Sequence, residues 1–247
     1  MTEKTKKLKN VVIIGASGGI GAALITQLLK DDEIEKIFAF SRCSVDKPQL
    51  SHEKVIHGFI DLTETASIEC LGRSLEGVEF DLAIVCSGLL QNGDVKPEKS
   101  LRQINQDTLR QYFQVNSIAP MLVAQQLVPL MNRNNDSQLA FLSARVGSVS
   151  DNRLGGWYGY RASKSALNML IKTLAIECQR TLPKLTIVGL HPGTVDTNLS
   201  KPFQNRVPAD KLFTPIQSAN YLLSVLATLD VSDSGKVFAW DKKEIMP

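Results

Sequence analysis

Two residues in the second half of the chain have the types and the spacing for acid–base chemistry. Tyr160 and Lys164 lie four positions apart in the run Tyr-Arg-Ala-Ser-Lys, and residues i and i+4 share one face of an α-helix. A phenol with a pKa of about 10 is a poor acid–base catalyst at neutral pH, but a nearby ammonium favours the phenolate and lowers that pKa. The pair therefore indicates a tyrosine that gives a proton to a substrate oxygen or takes one from it. Such pairs also occur on ordinary helices without doing chemistry, so the surrounding elements must decide its meaning.

A glycine-rich turn near the start of the chain has the features of a phosphate-binding loop. It reads Gly15-Ala16-Ser17-Gly18-Gly19-Ile20-Gly21 and joins an apolar, β-branched run at 10–14 to a segment of helical periodicity. Gly15 permits a sharp turn, Gly19 removes a side chain where the backbone must approach phosphates, and Gly21 allows the helix to pack tightly on the strand. The helix N-terminus directs unpaired N–H groups and a positive dipole end at a pyrophosphate. Strand, turn and helix follow in the order that dinucleotide binding requires, which favours that function over a purely structural turn.

The elements that must position these residues alternate along the whole chain. Further strands are predicted at 36–40, 55–60, 81–85, 138–142, 185–190 and 237–240. Helices are predicted from 63 toward 75, from 107 or 108 toward 131 with a bend near Pro120 or Pro129, from 157 to 180, and from Pro215 through 226. This alternation predicts a three-layer, doubly wound α/β fold with a central parallel β-sheet, in one domain spanning 1–247.

Size and composition argue against several other classes of protein. The chain has 247 residues, of which 43% are hydrophobic, and a net charge of +3, which suits the core of one α/β domain. The basic leader at 1–9 is interpreted as a solvated segment and not as a nucleic-acid contact, because no aromatic residues are interleaved with its lysines. No stretch approaches the ~18–20 apolar residues of a membrane span, and the four cysteines form no metal-type pair. We therefore expect a cytoplasmic protein with no metal, nucleic-acid or membrane site.

The turn spacing Gly-x-x-x-Gly-x-Gly, together with Tyr-x-x-x-Lys after the fifth predicted strand, resembles the short-chain dehydrogenase/reductase family of Rossmann-fold enzymes. The resemblance covers essentially the whole chain. The segments 145–148, 155–158 and 163–168 are similar to the branch that contains the sniffer-type carbonyl reductases and the C-factor signalling proteins. The resemblance implies hydride transfer between NADP(H) and a small-molecule carbonyl or alcohol, with Tyr160 as the general acid/base and Lys164 also hydrogen-bonding the nicotinamide ribose. The long helices imply a homodimer or homotetramer.

The resemblance also assigns residues to the cofactor. Ser41 and Arg42 follow the second strand, where NAD enzymes place an acidic residue for the ribose hydroxyls; a guanidinium binds a 2′-phosphate instead, which favours NADP(H) over NAD(H). Asp61 has a second interpretation as the cap of the next helix. The other cofactor residues that the resemblance implies follow the third, fourth and sixth strands: Asp61, Leu62, Gly88, Pro192, Gly193, Val195 and Thr197.

The catalytic set implied by the resemblance is incomplete at one position. Asn116 matches the helix asparagine that supports a proton relay through water to the lysine, but the family's active-site serine falls on Ala144 when 141–148 is aligned on Gly147. Ser143 or Ser148 then remains to polarise the carbonyl. Because losing such a donor costs ~2.7–4 kcal/mol, the sequence also fits a second hypothesis, a cofactor-binding signalling or sensor protein with little turnover.

The segment from about 198 to 214 falls where the family carries its substrate lid. Phe203 and Phe213 would cover an apolar substrate, whereas Arg206 and Lys211 would accept an anionic one. The sequence leaves both alternatives open.

Overall fold

A parallel β-sheet occupies the centre of the molecule in the computed structural model, which describes residues 8–43 and 50–247. The strands are β1 (Asn10–Ile14), β2 (Lys36–Ser41), β3 (Val55–Phe59), β4 (Leu82–Val85), β5 (Ser137–Leu142), β6 (Leu185–His191), β7 (Thr194–Val195), β8 (Leu212–Phe213) and β9 (Val237–Ala239). Seven of these pair in parallel in the order β3-β2-β1-β4-β5-β6-β9, and the short β7 and β8 pair with each other. The strand order reverses between β1 and β4, which confirms the predicted doubly wound Rossmann fold.

Helices cover both faces of this sheet. In the described residues they are α1 (Gly19–Leu28), α2 (Thr65–Ser74), α3 (Gln106–Phe113), α4 (Ala119–Leu127), α5 (Tyr158–Thr181) and α6 (Pro215–Thr228). Successive strand residues point to opposite faces, so Val11 and Ile13 join the apolar cluster under α1 and α6 while Val12 and Ile14 join the cluster under α2, α4 and α5. The sheet is therefore buried on both faces, as its continuous apolar strands predict.

The long helix predicted from 107 or 108 toward 131 is interrupted. A π-helical turn, Gln114–Ile118, separates α3 from α4, and α4 continues into a 3₁₀ turn at Val128–Leu130. The wide turn immediately precedes Pro120, which has no N–H to offer the carbonyl of Asn116 and whose ring would clash with that carbonyl in an α-helix. The predicted bend near Pro120 is confirmed, since the irregularity is the π-helical turn centred on Asn116, one turn before that proline.

Two features of the ends and surface complete the fold. Most of the predicted basic leader, residues 1–7, lies outside the described residues, and Lys9 forms an ion pair of 2.8 Å with Glu35. None of the described helices has both the length and the apolar character needed to span a bilayer.

Candidate active site

The first two turns of α5 carry the predicted acid–base pair. Tyr160 is 8% exposed and Lys164 is 3% exposed, so both functional groups are withdrawn from bulk water. The Nζ of Lys164 donates a hydrogen bond of 2.8 Å to the carbonyl oxygen of Leu142, the last residue of β5. This bond ties α5 to the carboxyl end of the sheet, where ligands bind in doubly wound folds.

Burial moves the pKa values of these two groups in opposite directions. It raises the pKa of Tyr160 to about 12 and lowers the pKa of Lys164 to about 8, because desolvation disfavours each charged form. The expectation that Lys164 lowers the pKa of the phenol is therefore not met by the protein groups alone. At neutral pH Tyr160 is a protonated phenol in an apolar setting, which suits it to give a proton to a developing alkoxide.

The ring of Tyr160 lies in an apolar cluster. Tyr112 is fully buried, donates its hydroxyl hydrogen to the carbonyl oxygen of Leu90 at 2.7 Å, and contacts the Tyr160 ring edge-on at 6.1 Å between centroids. Trp157 contacts the same ring at 6.1 Å. Ala144 belongs to this cluster as well.

Asn116 connects the loop after β4 to α5. It is fully buried; its Oδ1 accepts from the N–H of Leu89 at 2.7 Å, and its Nδ2 donates to the Leu89 carbonyl and to the Ser163 hydroxyl. A Cβ placed on Gly88 would lie 3.7 Å from the Nζ of Lys164 and 3.8 Å from the Oδ1 of Asn116. Gly88 therefore brings the loop backbone into contact range of both polar groups.

A cavity of about 740 Å³ opens where β1 and β4 diverge. Most of the predicted cofactor residues line it, namely Gly15, Ser17, Gly18, Gly19, Ile20, Gly21, Ser41, Arg42, Asp61, Leu62, Gly88 and Thr197. Its wall also contains residues that were not predicted as cofactor contacts: Ile60, Thr63, Cys86, Ser87, Val115, Asn198 and Leu199. Tyr160, Lys164, Pro192, Gly193 and Val195 lie outside this wall, and Gly88 is the link between the cavity and Lys164.

The cavity has the properties of a dinucleotide site. Gly15 has φ +89°, and a Cβ there would lie 3.2 Å from the Cys86 carbonyl carbon; a Cβ on Gly19 would lie 2.6 Å from the Thr197 side chain. In the described residues the buried hydroxyl of Ser87, which belongs to the cavity wall, has no hydrogen-bond partner. A bare backbone, a helix N-terminus and an unsatisfied hydroxyl fit the phosphates and hydroxyls of a nucleotide.

Gly21, the last glycine of the turn, has a different role from the one predicted. A Cβ on Gly21 would lie 2.3 Å from the carbonyl oxygen of Gly15, so Gly21 allows the helix to approach the turn itself and not the strand.

Gly21→Ala should therefore force the phosphate turn apart. Overpacking typically costs about 1–3 kcal/mol, which corresponds to a fall in Tm of roughly 2–10 °C for a domain of this size. We also expect at least tenfold weaker nucleotide binding, measured by titration. Gly72→Ala in α2 is the matched control, because its Cβ meets the flexible side chain of Gln126 first; equal losses in both variants would contradict this reading.

The end of the cavity formed by β2 and β3 carries opposite charges. Arg42 is exposed there, and Ser41 is buried with its hydroxyl donated to the Cys43 carbonyl at 2.6 Å. Hydrogen bonds from the N–H and hydroxyl of Thr63, at 2.9 and 2.7 Å, lower the pKa of Asp61, and the charge of Arg42 adds to this effect. Asp61 thus holds the turn before α2 and does not cap the helix, whose N-cap is Glu64.

Neither serine proposed to polarise a carbonyl is directed at Tyr160. Ser143 donates its hydroxyl to the Oδ1 of Asn168 at 2.6 Å, and Ser148 donates its hydroxyl to the carbonyl of Met246. Ala144, the next residue after Ser143, belongs to the apolar cluster of Tyr160. Both serine hydroxyls are bonded to other groups, and their role in polarising a carbonyl stays a prediction.

The predicted lid packs in two separate places: Phe213 lies against the loop after β6 and Trp240, whereas Phe203 lies against Trp157. A Cβ on Gly193, which has φ +77°, would lie 2.6 Å from Phe213, and Phe213 contacts Trp240 at 4.6 Å. The Nζ of Lys211 lies 5.6 Å from the centroid of the same Trp240 ring. Of the two lid phenylalanines, only Phe203 packs near Tyr160, because it contacts Trp157 at 5.1 Å and Trp157 contacts Tyr160. The side chain of Arg206 is outside the described part of the chain.

Comparison with known proteins gives a family and several relatives. The family model for short chain dehydrogenases matches residues 9–207. The 1-hydroxy-2-glutathionyl-2-methyl-3-butene dehydrogenase of Rhodococcus sp. (strain AD45) is 28% identical over 93% of this chain and 95% of its own length. Among solved structures, the carbonyl reductase Sniffer of D. melanogaster superposes with a TM-score of 0.85 at 21% identity, over 97% of this chain and all of that one. The NADPH-bound carbonyl reductase from chicken fatty liver gives a TM-score of 0.82 at 23% identity, over 99% of this chain and 97% of that one.

Proposed function

The chain belongs to the short-chain dehydrogenase family, and from this we propose that it is an NADP(H)-dependent oxidoreductase that reduces a small-molecule carbonyl or oxidises the matching alcohol. One observation carries the proposal: Tyr160 and Lys164 are buried one helical turn apart, and the Nζ of Lys164 lies 3.7 Å from the place of a Cβ on Gly88, which lines the cavity. The names of the relatives support it, since the Rhodococcus protein is a dehydrogenase of a hydroxy compound and the chicken protein is a carbonyl reductase with bound NADPH.

The residues divide the work between binding and proton transfer. When bound, NADP(H) supplies or accepts the hydride at its nicotinamide ring. The glycine turn and the N-terminus of α1 would hold the phosphates, and Arg42 would bind the 2′-phosphate. Tyr160 gives its proton to the carbonyl oxygen, so that hydride on carbon and proton on oxygen together make the alcohol. The ammonium of Lys164 stabilises the phenolate that remains, while Asn116 holds the Gly88 loop beside it.

A second function is favoured by the apolar residue at position 144. Ala144 lies in the apolar cluster of Tyr160 and presents no hydroxyl to polarise a carbonyl, and burial raises the pKa of Tyr160 to about 12. Both features suit a dinucleotide-binding sensor with little turnover. Steady-state oxidation of NADPH with a panel of ketones, aldehydes and quinones separates the two functions, because a sensor binds the nucleotide and reduces none of them.

Titration with NADPH and NADH, followed by nicotinamide fluorescence, tests the cofactor. We expect tighter binding of NADPH, and we expect Arg42→Ala to weaken NADPH binding by about 10-fold, in line with the loss of a charge-assisted hydrogen bond, with little change for NADH. Arg73→Ala, in α2 and outside the cavity wall, is the control. Equal affinity for the two nucleotides in the wild type would refute the NADP(H) preference.

Self-association and compartment are part of the same proposal. Exposed apolar side chains lie on and beside α5, with Met169 67%, Ile176 58% and Ile118 46% exposed, and such a face suits a homodimer or homotetramer. The described cysteines are all free thiols, two of them exposed, which suits the reducing cytoplasm. Sedimentation velocity of the purified protein would reveal the oligomer.

A further inference from the structure

An aromatic ring from the lid lies on the residue that borders the reactive phenol. Trp157 contacts Tyr160 at 6.1 Å with the two rings at 74°, and Phe203 contacts the same indole at 5.1 Å with the rings at 65°. Phe203 belongs to a 3₁₀ helix, Lys201–Arg206, far from Trp157 in the sequence. The indole surface beside Tyr160 therefore already binds one flat apolar group that the chain itself supplies.

Tyr160 also belongs to a cluster of apolar side chains. The described cluster around it consists of aliphatic and aromatic side chains: Leu89, Leu90, Val95, Tyr112, Ala144, Val146, Trp157 and Phe203. A charged group placed here would lose its hydration without gaining a partner from this cluster. The setting selects for an uncharged substituent next to the reacting carbonyl.

The position of Trp157 is fixed by an unusual backbone. Trp157 has φ +53° and follows Gly155 and Gly156, at +62° and +65°; a positive φ is rare for a bulky residue and marks a site that its surroundings must enforce. The N–H of Trp157 donates to the backbone carbonyl of Glu98 at 2.5 Å.

The side chain of Glu98 reinforces this turn. Its Oε2 accepts the N–H of Gly159 at 3.1 Å, and the residue is 2% exposed. The buried Glu98 carboxylate, which contacts the first turn of α5, also interacts favourably with the positive end of the helix dipole. Glu98 is thus a positioning residue that holds the indole beside Tyr160.

We propose that this site takes a carbonyl compound with a flat, uncharged substituent, that Trp157 binds this substituent, and that Phe203 covers the same surface until substrate displaces it. The inference rests on the proposed function, because it names the substrate class of that site.

Kinetics with two matched diketones test the role of Trp157. We expect Trp157→Ala to raise KM for 1-phenyl-1,2-propanedione by about 3- to 10-fold, the usual worth of an aromatic contact, with KM for 2,3-pentanedione changed less than twofold. Trp157→Phe restores most of the lost affinity. Phe203→Ala lowers KM for the phenyl compound or leaves it unchanged. Leu154→Ala, at a site 91% exposed, alters neither KM.

Three results would overturn the inference. They are an equal rise in KM for both diketones in Trp157→Ala, no rise for either, or a rise in Phe203→Ala as large as in Trp157→Ala. Glu98→Ala should reproduce the selective KM effect of Trp157→Ala. Glu98→Gln, which keeps an acceptor for the Gly159 N–H, should restore the wild-type KM. A fall in kcat without a change in KM would refute the positioning role of Glu98.

A binding measurement keeps this inference separate from the proposed function. The chain has two tryptophans, Trp157 and Trp240. In the Trp240→Phe variant the single indole N–H resonance of the NMR spectrum therefore belongs to Trp157. Acetophenone should shift this resonance and 2-pentanone should not, with no cofactor and no turnover required. If no carbonyl supports NADPH oxidation but acetophenone shifts the signal, the proposed reaction fails and the aromatic site stands; an unmoved signal overturns the site.

Discussion

Tyr160→Phe is expected to lower kcat for carbonyl reduction by about 10²–10⁴-fold, the usual contribution of a positioned general acid. The substitution removes only the hydroxyl, so the edge-on ring contacts with Tyr112 and Trp157, both at 6.1 Å, are retained. We therefore expect Tm and NADPH affinity close to those of the wild type. Initial rates of NADPH oxidation, a thermal melt and a fluorescence titration measure the three quantities.

Tyr158→Phe is the matched control for this loss. Tyr158 lies two residues earlier on the same helix but is 41% exposed, and it is not a member of the apolar cluster around Tyr160. Its kcat should stay within twofold of the wild type. If Tyr160→Phe retained wild-type kcat, or lost activity only in proportion to a lower Tm, proton transfer would have to come from another group.

The fold was predictable because its strongest signals are local. Val11–Ile14 forms a continuous apolar strand, the glycine turn follows at once, and Pro215 begins α6 as its fixed φ predicts. These periodicities survive in any parallel sheet covered on both faces. For the same reason the residues lining the nucleotide cavity follow strand ends and could be read from the sequence.

The sequence was a poorer guide where a structural detail depends on which groups meet in the folded chain. Pro120 marked an irregular helix, but only the carbonyl of Asn116, four residues earlier, shows where the chain widens. Ser143 has the right chemistry, but Asn168 on α5 captures its hydroxyl. The sequence pattern alone does not show which group the Ser143 hydroxyl bonds in the folded chain.

The substrate side was the least predictable part of the site. The lid offered Phe203 and Phe213 as equivalent residues, yet Phe213 packs on Trp240 and only Phe203 reaches Trp157. Glu98 gave no signal at all, since its buried contact with Gly159 joins segments 61 residues apart. The two glycines before Trp157 were the available clue, because consecutive glycines favour left-handed backbone.

The second large effect is expected as a gain. Ala144→Ser should raise kcat for carbonyl reduction, because it places a hydroxyl donor in the apolar cluster of Tyr160, at a position that is 9% exposed. Removing one donor to a developing oxyanion typically costs about 10²–10³-fold in kcat, and this range is the upper limit of the gain. Initial rates with 1-phenyl-1,2-propanedione at saturating NADPH measure it.

Ser143→Ala is the control that separates position from chemistry. Its hydroxyl is bonded to Asn168, so its loss should lower Tm slightly and leave kcat within about twofold, since a single neutral hydrogen bond is worth roughly 0.5–1.5 kcal/mol of stability. A gain in Ala144→Ser that requires intact Tyr160 identifies a working reductase that lacks one donor. If instead Ala144→Ser binds NADPH normally and still reduces no carbonyl, the missing hydroxyl is not what limits turnover, and the same geometry is better explained as a nucleotide sensor whose neutral, buried phenol has no substrate to protonate.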